Sequence, residues 1–146
     1  MAIETKAPPI QRFEHWTLVA SDLERSKRFY SEVLGGELLS RDPTSVRLGG
    51  TIIDLFPARG REVQHGGAGQ HHAYVIELAD YDPWVEHLRH NEVPVRLTHH
   101  GLQRLSLYLE DPDGYTMELF VPFDSEEEGR PEIEKRVTLK PERQRE

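Results

Sequence analysis

Eight histidines run from His15 to His100 in a chain that has no cysteine. Any metal site must therefore be built from imidazole and carboxylate, and thiolate ligands, disulfides and a cysteine nucleophile are excluded. Two stretches place these groups alike. His15-Trp16-Thr17-Leu18-Val19 parallels His71-His72-Ala73-Tyr74-Val75, and Ile53-Asp54-Leu55-Phe56 parallels Met117-Glu118-Leu119-Phe120. In a duplicated chain whose halves pack about a local two-fold axis, His15, His71, Asp54 and Glu118 take equivalent inward positions on strands. A buried carboxylate without a partner is costly or takes up a proton. A divalent cation removes that cost. Two imidazoles and a carboxylate with open positions opposite make the facial triad suited to iron(II), and the same donors suit manganese, nickel, cobalt or zinc.

The elements that must position these groups follow from the pattern. Residues 13–20 alternate as a strand. Ser21 and Glu24 fit a capping box for a helix with Leu23, Ser26, Tyr30 and Val33 on one stripe, and Gly35-Gly36 stops it. Strands are predicted over 37–41, 45–48 and 51–56. The second half repeats this grammar, with a strand over 71–78 and a helix after Asp80 that has Pro83 in its first turn. Strands follow over 93–97, 104–110 and 116–121, and Asp111-Pro112-Asp113-Gly114 forms a hairpin turn. The fold class is α+β, two paired βαβββ modules forming a cupped mixed sheet. Residues 1–12 read as a disordered lead-in. Module one spans 13–56, a glycine-rich connection 57–70, module two 71–124, and a charged C-terminal tail or exposed helix 125–146. The connection serves as a lid or as a plain linker.

Composition narrows the class. The chain has 146 residues and a net charge of −8, which disfavours binding to nucleic acid. No apolar run approaches the ~20 residues that span a bilayer, and the first residues lack a signal-peptide core. The expectation is a cytoplasmic protein acting on a small molecule, with no membrane partner.

The run His15 to Leu23, then Phe29-Tyr30 and Val33-Leu34-Gly35, resembles the opening of the vicinal oxygen chelate superfamily. His71-His72-Ala73-Tyr74 is similar to its second opening strand, and Asp111 to Leu119 to its closing hairpin. The superfamily includes glyoxalases, extradiol dioxygenases, fosfomycin-resistance thiol transferases, epimerases and bleomycin-binding proteins. The resemblance implies a metal held by His15, His71 and Glu118. His71 shares the face of Ala73 and Val75, whereas His72 points the other way unless the register slips by one. Asp54 stands where some relatives offer a fourth ligand, and its shorter side chain leaves that role open.

Thr98-His99-His100 followed by Leu107-Tyr108, Asp111-Pro112, Gly114 and Glu118 resembles the extradiol dioxygenase signature. There a histidine moves protons and a tyrosine donates a hydrogen bond to the bound substrate. His99, His100 and Tyr108 are the implied catalytic residues, and only one of the two histidines can face the site if both lie on a strand. The leading expectation is an extradiol-type dioxygenase that takes a catechol-like substrate on a divalent metal, with Fe2+ ahead of Ni2+, Zn2+, Mn2+ or Co2+. Glyoxalase-type isomerase or lyase chemistry is the alternative, and non-catalytic drug binding the second. A fosfomycin-type transferase is disfavoured, because no lysine- and serine-rich loop precedes Tyr108. The resemblance also implies a homodimer, with the site inside one chain or shared by module exchange. His87 and His90 read as surface residues, and Trp16 and Trp84 as packing.

Overall fold

The computed structural model describes residues 6–67 and 69–141. Two copies of one motif emerge. Module one runs β1 (His15–Ala20), α1 (Leu23–Arg28) with a π-helical continuation (Phe29–Val33), β2 (Glu37–Leu39), β3 (Ser45–Leu48) and β4 (Thr51–Pro57). Module two runs β5 (His71–Val75), α2 (Leu78–His90), β6 (Arg96–His100), β7 (Arg104–Glu110) and β8 (Thr116–Pro122). A last helix, α3 (Glu126–Glu134), follows. The sheet orders are β1-β4-β3-β2 and β5-β8-β7-β6, with the first two strands of each parallel. The fold class is as expected, α+β with two βαβββ modules.

Alternation sets the two faces of each sheet. Leu18, Ile53 and Leu55 in module one, and Leu105, Leu107 and Met117 in module two, turn inward and are buried. They join Tyr30, Tyr81 and Leu88 from the helices in one continuous core. The opposite faces carry the polar residues. Polar contacts stitch the modules together. The Tyr30 hydroxyl donates to Asp111 at 2.7 Å, and the Tyr115 hydroxyl exchanges hydrogen bonds with the N–H and C=O of Val19, each at 3.1 Å.

Several boundaries differ from the sequence reading for identifiable reasons. Asp22, not Ser21, caps α1 by accepting the Arg25 N–H, because Ser21 is drawn to Asp113 of module two. Helix α2 starts at Leu78, which leaves Pro83 inside it. Complete burial of Tyr81, whose hydroxyl donates to the Ser106 carbonyl at 2.9 Å, outweighs the lost hydrogen bond. Strand β6 begins after Pro94, which cannot donate to a ladder.

Residues 6–12 have no regular structure, and residues 1–5 of the expected lead-in lie outside the described residues. Residues 125–141 are not a solvated tail. Ser125 caps α3, Ile133 is fully buried, and Arg136 grips both carboxylate oxygens of Asp82 at 2.9 and 3.1 Å. Gly129 lies so close to the Leu102 carbonyl that an added Cβ would overlap it. Residues 142–146 lie outside the described residues.

Candidate functional site

Register fixes which side chains share the polar face of module two. His71 stands opposite Thr116. Ala73, Glu118, Tyr108 and Arg96 form the next row, then Val75, Phe120, Ser106 and Thr98, and then Arg104 with His100. Directly opposed residues point to one side of a sheet, so these groups converge around Glu118.

Glu118 is 1% exposed. Its Oε1 lies 3.1 Å from His71 Nε2, and its Oε2 accepts the Ser106 hydroxyl at 2.6 Å. His100 Nε2 is 3.9 Å and Arg104 Nε 3.7 Å from Oε2, both beyond hydrogen-bond reach. His100 Nε2 instead meets the Tyr108 hydroxyl at 2.8 Å. Burial raises the Tyr108 hydroxyl above the usual phenol range, with the Glu118 charge adding to it while Arg104 and Arg96 pull back, so it stays protonated.

The polar face of module one repeats this layout. Thr17, Asp54 and Ser45 stand in one row, with His15 in the row beside them. Asp54 accepts the Ser45 hydroxyl at 2.6 Å and the Arg41 guanidinium at 2.9 Å, with His15 Nε2 at 3.4 Å. Burial alone would raise its pKa, but the Ser45 and Arg41 hydrogen bonds and the His15 and Arg41 charges hold it below the usual carboxylate value. His15 also contacts Glu14.

The expected ligands therefore fall into two groups. His71 and Glu118 come together, and His15 sits with Asp54 in the other module. Among the described residues of one chain, no three histidine, aspartate or glutamate residues gather to hold a metal. His72 lies on the core side of β5, its ring tilted 50° against Trp16 with centroids 4.0 Å apart and its Nδ1 3.2 Å from the Tyr74 hydroxyl. Burial and the neighbouring His71 lower its pKa to about 4, so it is neutral near pH 7.

The expected pair of catalytic histidines separates as well. His99 is fully buried on the core side of β6. Its Nδ1–H donates to the Gly101 carbonyl at 2.6 Å, and its Nε2 accepts the Lys140 N–H at 2.9 Å, which uses both ring nitrogens away from Glu118. His99 thus holds the C-terminal segment and does not reach the site, because the strand pleat sends neighbours to opposite faces. His100 and Tyr108 do reach it. Arg41, Ser45 and Arg96 were missing from the sequence reading. Alternation along β3 and β6 is the signal that could have placed Ser45 and Arg96. Arg41 lies beyond β2 and carries no such signal.

His71 and Glu118, the latter oriented by Ser106, supply the nitrogen and oxygen donors that a divalent cation takes, so the pair fits as part of a ligand set that the described residues of one chain leave incomplete. No helix among the described residues is long and apolar enough to cross a membrane.

Comparison with known proteins gives a consistent relationship. A family model for the Glyoxalase/Bleomycin resistance protein/Dioxygenase superfamily matches residues 12–119. The chain is 30% identical over 117 residues to the metallothiol transferase FosB of Staphylococcus epidermidis, covering 75% of this chain and 81% of that protein. It is 30% identical over 118 residues to the glutathione transferase FosA of Serratia marcescens, covering 77% and 82%. The crystal structure of a glyoxalase/dioxygenase from Nostoc punctiforme superposes with a TM-score of 0.69 at 20% identity, over 83% of this chain and 99% of that one, a likeness of fold.

Proposed function

Because the chain belongs to the glyoxalase/bleomycin resistance protein/dioxygenase superfamily, we propose that it is an enzyme dependent on a divalent metal. In this reading His71 and Glu118 of module two hold the ion together with His15 from a second copy of the chain, in a homodimer. One observation carries the reading: Glu118 is almost fully buried beside His71, yet among the described residues no guanidinium hydrogen-bonds to it, Arg104 standing at 3.7 Å. His15 stays in its own module within one chain, and exchange between copies is the arrangement that brings it to the other two.

When bound, the metal supplies Lewis acidity and positions for a chelating substrate. The chain's own residues manage the protons. His100 takes a proton from a substrate hydroxyl and returns it later, and Tyr108 donates a hydrogen bond to the substrate oxygen. Ser106 holds Glu118 in one orientation. The reaction this pairing supports best is extradiol-type cleavage of a small catechol-like substrate. The ring bond beside the hydroxyls breaks, and both atoms of O2 enter the product. Fe2+ suits that chemistry.

A second reading has its own support. FosB and FosA are thiol transferases, so addition of a thiol to an electrophile on the same metal returns as the alternative to oxygen chemistry. Glyoxalase-type chemistry needs a further free carboxylate, and Asp54 is engaged by Arg41 and Ser45. Drug sequestration without catalysis has no use for the His71–Glu118 pair.

The test has two parts. His15→Ala and His71→Ala are each expected to lose metal, and a mixture refolded together to regain it, since one site in a mixed dimer keeps all three ligands. No recovery on mixing refutes the shared site. Oxygen uptake with a catechol panel supports cleavage, whereas thiol consumption without oxygen uptake selects the transferase reading.

A further inference from the structure

The row that contains Glu118 continues outward to Arg96. Glu118, Tyr108 and Arg96 stand in register across β8, β7 and β6. The Arg96 guanidinium lies 4.5 Å from the centre of the Tyr108 ring, and among the described residues no carboxylate pairs with it. Arg104 is already committed. Its Nε faces Glu118 at 3.7 Å and its guanidinium lies 5.4 Å from the Phe120 ring. Beside Tyr108 opens a cavity of about 380 Å³, lined by Val95, Arg96, Tyr108, Glu110 and Thr116 among others. That is room for a small aromatic molecule.

Charge points the same way. The chain as a whole carries −8. On this face Arg96 and Arg104 balance Glu118 and Glu110, so a divalent cation beside Glu118 leaves a local excess of about two positive charges. One chelating oxyanion takes up one of them. A second, singly charged group matches the other. Neighbouring strands are about 4.8 Å apart, which puts the Arg96 backbone roughly 10 Å from that of Glu118, with Tyr108 between them. The planar guanidinium fork is suited to binding a carboxylate.

We infer that the substrate carries a carboxylate, bound by Arg96, at the end remote from its chelating oxygens. Arg96 is then a specificity-determining residue, set to select anionic aromatic substrates over neutral ones of the same shape. The inference rests on the metal-site reading above for where the chelating end lies.

The probes are 3,4-dihydroxybenzoate and the uncharged 4-methylcatechol, titrated calorimetrically without oxygen into the full chain loaded with Zn2+. The expected result is a preference for the carboxylate of roughly tenfold or more. Arg96→Gln abolishes the difference between the two probes, and Arg96→Lys restores part of it. Equal binding of both probes by the unaltered protein overturns the inference, and so does a preference that survives in Arg96→Gln. Circular dichroism of each variant checks the fold. Failure to retain zinc counts against the metal site alone. The same pair of titrations on metal-free protein then decides the role of Arg96, with a tenfold preference for it and no preference against it.

Discussion

In module one, Asp54 stands in register between Thr17 and Ser45. In module two, Glu118 stands between Ala73 and Tyr108. Each carboxylate has a histidine on the neighbouring strand, a serine hydroxyl at 2.6 Å and an arginine nearby. Even the next row matches, Val19 with Phe56 and Val75 with Phe120. The arginines make the difference. Arg41 hydrogen-bonds Asp54 at 2.9 Å and neutralises it, whereas Arg104 stops at 3.7 Å from Glu118, an ion-pair distance without a hydrogen bond, and leaves His71 at 3.1 Å as the nearest cation-accepting neighbour. A direct ion pair turns one copy of the constellation into a structural tie. In the proposed reading, the other copy, whose arginine makes no hydrogen bond to it, keeps its buried carboxylate for an ion.

The sharpest way to break this contrast is to remove each carboxylate in turn. Glu118→Ala is expected to abolish metal retention and with it all turnover, measured by elemental analysis and activity. Removing a group that only supports a ligand already costs 10–100-fold, roughly, so loss of a ligand costs more. Asp54→Asn is expected to hold metal within about tenfold of the unaltered chain, since Asn still accepts from Ser45 and Arg41. Equal losses in the two variants would make Asp54 a ligand and erase the distinction.

The adjacent histidines of β6 give the next largest effect. His100→Ala is expected to lower turnover by about 10²–10⁴-fold with metal retained, the usual range for a lost proton-transfer group. His99→Ala should leave the pH profile of turnover in place. Its cost is stability, about 1–3 kcal/mol in urea unfolding, because the Gly101 carbonyl and the Lys140 N–H lose their buried partner. A pH profile displaced by His99→Ala would return that residue to the site.

These two histidines also show what the sequence could and could not disclose. Strand alternation was legible for β1 and β5, and it chose His71 over His72 on the face of Glu118. The same rule was available for β6, where the apolar Leu97 puts the odd positions inside and so buries His99. The expected strand over 93–97 stops short of both histidines, so alternation says that only one can face the site without saying which, whereas the observed strand starts beyond Pro94 and includes both. Docking of α3 was hidden by its density of charge, with Ile133 the one strong sign of a buried face. The separation of His15 from His71 depends on how the modules pack. No local pattern encodes that.

The smallest expected effect gives the finest test, because the two serines make the same contact at 2.6 Å to different ends. Ser106→Ala frees Glu118 to turn, and a misoriented ligand is expected to cost metal affinity about 10–100-fold. Ser45→Ala removes one of two hydrogen bonds to an Asp54 oxygen that Arg41 still holds. It is expected to leave metal affinity unchanged and to lower stability by about 0.5–1.5 kcal/mol. Isothermal titration with metal and urea unfolding on both variants separate these outcomes. If Ser106→Ala loses stability alone, Glu118 is oriented by its neighbours without help. The two modules would then differ only in where their arginines reach.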